Sequence, residues 1–196
     1  PSPRETMTPA ETAAEEESPD AGVALASARR PGDPAKFLCV YCGSSSGGPD
    51  DRFLRAAERL GTALARRGVG LVYGGGGIGV MGTVAKAVDA AGGVVVSVIP
   101  TPLMKFCHPM IQPERLVEVK DMHTRKRIMI DRADAFLALP GGVGTMEELL
   151  ETATWLQLGL HSKRLGVLNV DGYWDSLRAQ FTRALDSGFT RVRDGY

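Results

Sequence analysis

The chain has 196 residues, 43% hydrophobic and 23% charged, which suits one globular domain or one domain with a tail. No apolar run approaches the roughly 18 residues of a membrane span. Its 23 basic side chains balance 23 acidic ones, so bulk charge gives no reason to expect a nucleic acid or a membrane as partner.

That balance hides an asymmetry. Residues 1–35 carry seven acids against three bases and six of the twelve prolines, with almost no large apolar side chains. Such a segment buries too little surface to offset the entropy of ordering, and it reads as a disordered acidic tail. Glu15, Glu16 and Glu17 argue against a cleaved targeting peptide, which would be rich in Arg and poor in acids.

The body, residues 36–196, alternates strand and helix. Residues 37–42 read as an apolar strand. Within it Cys39 and Cys42 form a C-x-x-C, a spacing used in redox pairs and zinc sites. Positions three apart on a strand face opposite sides, and no second such pair exists. Buried, reduced cysteines of a cytoplasmic protein are the better reading. A helix is predicted over 50–67, with Phe53, Ala56, Ala57, Leu60 and Leu64 at helical spacing. A strand over 69–73, a small-residue helix over 80–91 and an apolar strand over 94–99 follow, the last stopped by Pro100 and Pro102. Then come a short strand over 116–119, a helix over 121–132, a strand over 135–139 and a helix over 145–158. A strand over 165–168 and a helix over 173–187 end the chain. Strands that are apolar throughout, alternating with helices, predict a single Rossmann-like α/β domain with a doubly wound parallel sheet.

Three glycine-rich turns follow strands, at 43–48, 74–79 and 141–144, on the rim where such sheets bind ligands. Gly74-Gly75-Gly76-Gly77-Ile78-Gly79 satisfies G-x-G-x-x-G, but residues 97–101 hold no acid for a ribose, which argues against a dinucleotide. Glycines needed only for close packing are the competing reading. Pro140-Gly141-Gly142-Val143-Gly144-Thr145-Met146-Glu147-Glu148 joins a strand to a helix start, where free N–H groups and the helix dipole favour an anion. Gly142 and Gly144 have no Cβ to obstruct a phosphate, and the Thr145 hydroxyl can donate to one. The lysine of a Walker P-loop is missing, which argues against nucleoside triphosphate hydrolysis. Thr145-x-x-Glu148 is also a capping box, so the residues alone leave a capping and a catalytic role for Glu148 both open.

The predicted helix over 121–132 carries Arg125, Lys126 and Arg127, with Arg125 on the side of Ile128 and Met129. A guanidinium held near a buried surface suits bidentate phosphate binding. His108, His123 and His161 have no metal-ligand spacing, so neither a metal nor another cofactor is expected.

Taken together these residues resemble the Lonely Guy family. The likeness rests on Val40-Tyr41-Cys42-Gly43-Ser44-Ser45-Ser46-Gly47, Tyr73-Gly74-Gly75-Gly76, Asp121-Met122-His123 with Arg125-Lys126 and Met129, and PGGVGTMEE at 140–148. Trp155, His161, Lys163 and Gly172-Tyr173 continue it, so that it spans about 37–190. The resemblance implies a cytokinin riboside 5′-monophosphate phosphoribohydrolase, releasing the free adenine-type base and ribose 5-phosphate. It implies a homodimer with the active site near the interface. It places catalysis on Arg125 and Glu148, and substrate binding on Gly43, Ser44, Gly75, Gly76, Lys126, Gly141, Gly142, Gly144, Thr145, Glu147 and Thr154. Some relatives carry the label lysine decarboxylase, but no residue pattern here argues for pyridoxal phosphate. Residues 104–113, with His108 and Pro109, depart from the plant pattern and leave the preferred base open. The alternatives are a broad hydrolase of purine monophosphates such as AMP, and a nucleotide-binding module without catalysis.

Overall fold

The computed structural model describes residues 19–107 and 111–190. Its centre is a six-stranded parallel sheet made of β1 (Lys36–Tyr41), β2 (Val69–Tyr73), β3 (Val95–Pro100), β4 (Leu116–Val119), β5 (Ala135–Ala138) and β6 (Arg164–Val167). The strand order is β4-β3-β2-β1-β5-β6. Each expected strand is present, and the all-parallel pairing follows from their unbroken apolar character: helices cover both faces.

Helices α2 (Arg52–Arg66) and α3 (Gly79–Ala90) pack on one face, around Val40, Cys42, Leu71, Tyr73 and Val84. Helices α4 (Met122–Arg132), α5 (Val143–Leu158) and α6 (Asp175–Asp186) pack on the other, around Cys39, Tyr41, Val98, Phe136 and Leu149. Cys39 and Cys42 therefore fall in opposite core layers, free and buried, as strand alternation requires. Burial pushes both thiols well above their ordinary pKa, so neither is a ready nucleophile.

The expectation of disorder over 1–35 needs correction for its second half. Pro19–Ser27 form a helix, α1, whose Val23 and Ala26 pack on the α4 side of the core. Arg132, buried in α4, donates to the Ala26 carbonyl at 2.8 Å and pairs with Asp33 at 3.1 Å. Asp33 also pairs with Arg115, and Arg29 pairs with Asp134. Composition missed this because the anchoring charges lie some hundred positions away in the chain. Residues 1–18 lie outside the described residues. So do His108 and Pro109, on which the reading of the base pocket partly rested.

Candidate active site

Chain order reverses beside β1, which has β2 on one side and β5 on the other. Doubly wound sheets place ligands at such a switch point, here at the loops leaving β1 and β5. Both loops are glycine-rich, and they touch. Gly43 N–H donates to Pro140 O at 3.1 Å, and a Cβ on Gly43 would lie 3.2 Å from Gly141 Cα. Met81 N–H donates to Gly43 O at 2.9 Å and Val80 N–H to Ser45 O at 3.2 Å, tying the start of α3 to the same turn. Ser44 is exposed beside it.

Helix α5 begins at Val143, two residues before the expected start, with Gly142 as N-cap. Its first intrahelical bond runs from Met146 N–H to Gly142 O at 3.1 Å. The amides of Val143, Gly144 and Thr145 precede that bond and point out of the helix end, where an anion is favoured. A Cβ on Gly142 or Gly144 would meet nothing within 4 Å, so the space in front of the turn is open. Gly141 differs: its Cβ would fall 2.1 Å from Thr145 Oγ1 and 2.7 Å from Gly43 N. Close packing also explains Gly75, next to Ile99 and Cys107, and Gly76, next to Met81.

Arg125 and Glu148 meet in the interior. Asp121 caps α4 by accepting from Thr124 N–H at 2.8 Å, which fixes where the helix starts and which face Arg125 occupies. Its Nη2 lies 3.1 Å from Glu148 Oε1, and both side chains are under a tenth exposed. Removal from water pushes the Glu148 carboxyl up; the Arg125 guanidinium pulls it back down, Glu147 adds to the rise, and the outcome is about 7. Arg125 Nε is buried without a partner, and Nη1 touches only Met122 Sδ at 3.6 Å. The guanidinium thus spends one edge on Glu148 and keeps other donors unspent.

Lys126, the neighbouring base, is already engaged. Its ammonium binds Glu147 and, at 3.0 Å, Glu151. Burial alone would depress its pKa, but these two carboxylates raise it. Thr154 stands apart. Six positions beyond Glu148 on α5, it projects about 120° away, is exposed, and donates to Leu150 O at 2.7 Å. Glu148 and Thr154 of one chain therefore do not converge.

Two positions that the sequence motifs include, but to which they assign no role, take part in the site. A Cβ on Gly74 would lie 1.9 Å from Arg125 Nη2, so the first glycine of the run is what lets the guanidinium cross the end of β2. A run of four glycines signals close approach without naming what approaches. Tyr173 donates its hydroxyl to Gly141 O and stacks edge-on against Phe53 and Trp174, bracing the turn from behind. Beneath Glu148, Thr152 Oγ1 donates to the Glu148 carbonyl at 2.8 Å and meets Tyr41 Oη at 2.8 Å. His161 Nε2 lies 3.1 Å from Thr152 O and its ring packs on Phe136, a structural role. Among the described residues no His, Cys, Asp or Glu cluster could hold a metal.

Known proteins resemble this chain in sequence and in fold. A family model described as "Possible lysine decarboxylase" matches residues 81–195. The chain is 52% identical to cytokinin riboside 5′-monophosphate phosphoribohydrolase LOG7 of Arabidopsis thaliana over 157 residues, covering 79% of this chain and 70% of that protein. It is 50% identical to the probable enzyme LOGL3 of Oryza sativa subsp. japonica over 157 residues, covering 79% and 72%. Among solved structures, the structural-genomics target TM1055 superposes with a TM-score of 0.56 at 27% identity, covering 74% of this chain and 81% of that one. The molybdenum cofactor carrier protein of Chlamydomonas reinhardtii superposes with a TM-score of 0.57 at 23% identity, covering 82% and 90%, a likeness of fold alone. With half its residues shared over most of its length, and the paired Arg125 and Glu148 beside the glycine turns, the chain belongs to the Lonely Guy (LOG) family.

Proposed function

We propose that this protein hydrolyses the N-glycosidic bond of cytokinin riboside 5′-monophosphates, releasing the free base and ribose 5-phosphate. The observation that carries the reading is the buried Arg125–Glu148 pair at the mouth of an open anion-binding turn. The names of the relatives supply the substrate class.

The 5′-phosphate docks on the amides of Val143, Gly144 and Thr145, in the space left by Gly142 and Gly144. Binding energy gathered there, remote from the bond that breaks, orients the ribose. Cleavage leaves positive charge on the sugar, as in other glycoside hydrolyses. Glu148, with a pKa of about 7, is matched to taking a proton from the attacking water near neutrality. Arg125 keeps that carboxylate ionised as it works, and its unspent donors hold the substrate. Lys126, held between two carboxylates with its pKa raised, stays protonated and is no Schiff-base nucleophile.

The active form is a homodimer joined through α5. Val143, Met146, Leu150 and Leu158 share one face and are 36% to 83% exposed, a stripe that a monomer would leave in water. Thr154 lies on that stripe, so its binding role is exercised towards the partner copy. Three buried free cysteines fit a reducing compartment such as the cytoplasm, and no described helix is long and apolar enough to cross a membrane.

The test is incubation with isopentenyladenosine monophosphate, its riboside and AMP, followed by chromatography of the free base. Release from the cytokinin monophosphate in preference to both others is expected. Equal release from the riboside would sink the phosphate-anchoring argument, equal release from AMP would make the enzyme a broad hydrolase, and no release at all would leave a binding module.

A further inference from the structure

Two carbonyls of the turn before α5 are already engaged. Pro140 O accepts from Gly43 N–H at 3.1 Å, and Gly141 O accepts from the Tyr173 hydroxyl. The second bond alters what the turn can offer. Gly141 stands four residues before Thr145, so its carbonyl is the one that a longer helix would close on the Thr145 amide. Among the described residues that closure is absent, and the first one is Met146 N–H on Gly142 O. Tyr173 holds the carbonyl instead, and the Thr145 amide stays unspent. Peptide units are planar and trans, so holding Gly141 C=O also fixes the direction of the Gly142 N–H, which has no partner among the described residues. Tyr173 is itself firmly held. Its ring meets Phe53 edge-on at 5.6 Å and Trp174 at 5.0 Å. It follows Asp171 and Gly172, whose φ values of 50° and 75° put two successive residues in the left-handed region. Asp171 adopts that conformation without being glycine, a strain that persists only where the surroundings impose it. Here Arg52 lies 3.2 Å from Asp171 Oδ2, and Asn169 accepts from Trp174 N–H and donates to Asp175 Oδ1, each at 2.8 Å.

We propose that Tyr173 is a positioning residue for the 5′-phosphate: its hydroxyl keeps Gly141 O from closing on α5, which leaves the Thr145 amide free and the Gly142 amide aligned for the anion. The proposal rests on the reading of this turn as a phosphate site. A freed Gly141 carbonyl has two courses, and both harm that site. It can accept from Thr145 N–H, which lengthens the helix by one bond and removes a donor. It can also swing towards the anion, presenting the negative end of its dipole. The phosphate is held alike before and during bond cleavage, so the loss falls on binding and not on the chemical step.

The experiment compares the wild type with Tyr173→Phe, which keeps the ring and its contacts and removes only the hydroxyl. Turnover of isopentenyladenosine monophosphate is measured at steady state, and the two products, ribose 5-phosphate and the free base, are each titrated by calorimetry. The KM for the monophosphate and the Kd for ribose 5-phosphate should each rise about tenfold, with kcat within about twofold and the Kd for the free base unchanged. Asp33→Ala, which loosens the fold at the other end of β1, is the control for lost stability and should leave all four constants as in the wild type. A wild type that neither hydrolyses the monophosphate nor binds ribose 5-phosphate sinks the functional reading, and this proposal with it. Where the wild type does either, the proposal alone is overturned if Tyr173→Phe keeps the wild-type KM and Kd, weakens the free base as much as ribose 5-phosphate, or lowers kcat in place of raising KM. It is equally overturned if Asp33→Ala reproduces the loss.

Discussion

Glu148→Gln separates the two roles that a buried carboxylate can have, because only an ionisable buried group makes stability depend on pH. Raising a carboxyl pKa from 4.5 to about 7 makes its ionisation about 3 kcal/mol harder in the fold than in the unfolded chain. Glu148 is 6% exposed, so little of this is relieved by solvent. The unfolded chain gives up the proton near pH 4.5, while the fold keeps it to about 7. Between those values the unfolded state binds fewer protons, so stability falls as pH rises. Below 4.5 the group contributes no penalty; above 7 the penalty is complete. Glutamine keeps the shape and an acceptor for Arg125 but cannot ionise. Leaving Arg125 without a counter-charge imposes an offset of its own, constant across this range. The stability of the variant minus that of the wild type should therefore rise by about 3 kcal/mol between pH 4 and pH 8, read by urea unfolding at each pH. Turnover should drop by about 10² to 10⁴ while nucleoside monophosphate still binds. Wild-type kcat/KM should climb with pH to about 7 and then level, since the ionised carboxylate is the active form. A stability difference that is flat with pH, or turnover that survives the substitution, refutes the reasoning.

Three further outcomes follow from the same geometry. Gly74→Ala puts a methyl group 1.9 Å from Arg125 Nη2; the flexible guanidinium can swing aside, so the protein should fold normally yet lose about 10²-fold in turnover, and wild-type kinetics would show that Arg125 need not cross β2. Asp33→Ala strands Arg132, whose side chain is 1% exposed, and should cost about 3–5 kcal/mol by urea unfolding without altering the turnover of folded protein. Leu150→Arg plants a charge in the apolar stripe of α5 and should convert the dimer to monomers in sedimentation velocity; an unchanged sedimentation coefficient would move the interface elsewhere.

The sheet and its covering helices were legible because hydrophobic period is a local property. Phe53, Ala56, Ala57 and Leu64 announce α2 without reference to anything outside it, and all four are buried. Helix α1 was not legible for the opposite reason. Its nine residues lie next to an acidic, proline-rich stretch, and what holds the segment is the buried Arg132 and the Asp33 it pairs with. A window of composition records Asp33 only as one more acid of a disordered tail. Likewise the basic run at Arg125–Arg127 resolves into three different environments. Arg125 goes to a buried carboxylate, Lys126 to two carboxylates of α5, and Arg127 to an exposed i,i+4 pair with Asp131. Which of three adjacent bases turns inward is set by the helix phase. That phase is set by the Asp121 cap, a feature the sequence does contain.

Glu148 is where local reading reached its limit. A capping box requires Thr145 at the N-cap, with Glu148 folding back to its amide. The helix instead starts at Val143, so Thr145 is its third residue and Glu148 its sixth, beyond the reach of the unpaired amides. The capping account then explains neither residue, and the carboxylate is left buried with a pKa near 7. A cost of that size, with no return in helix stability, is expected where a proton must be moved near neutral pH. The position of Gly142 as N-cap thus removes the capping account of a residue six places away and leaves the proposed proton transfer as the role to be tested.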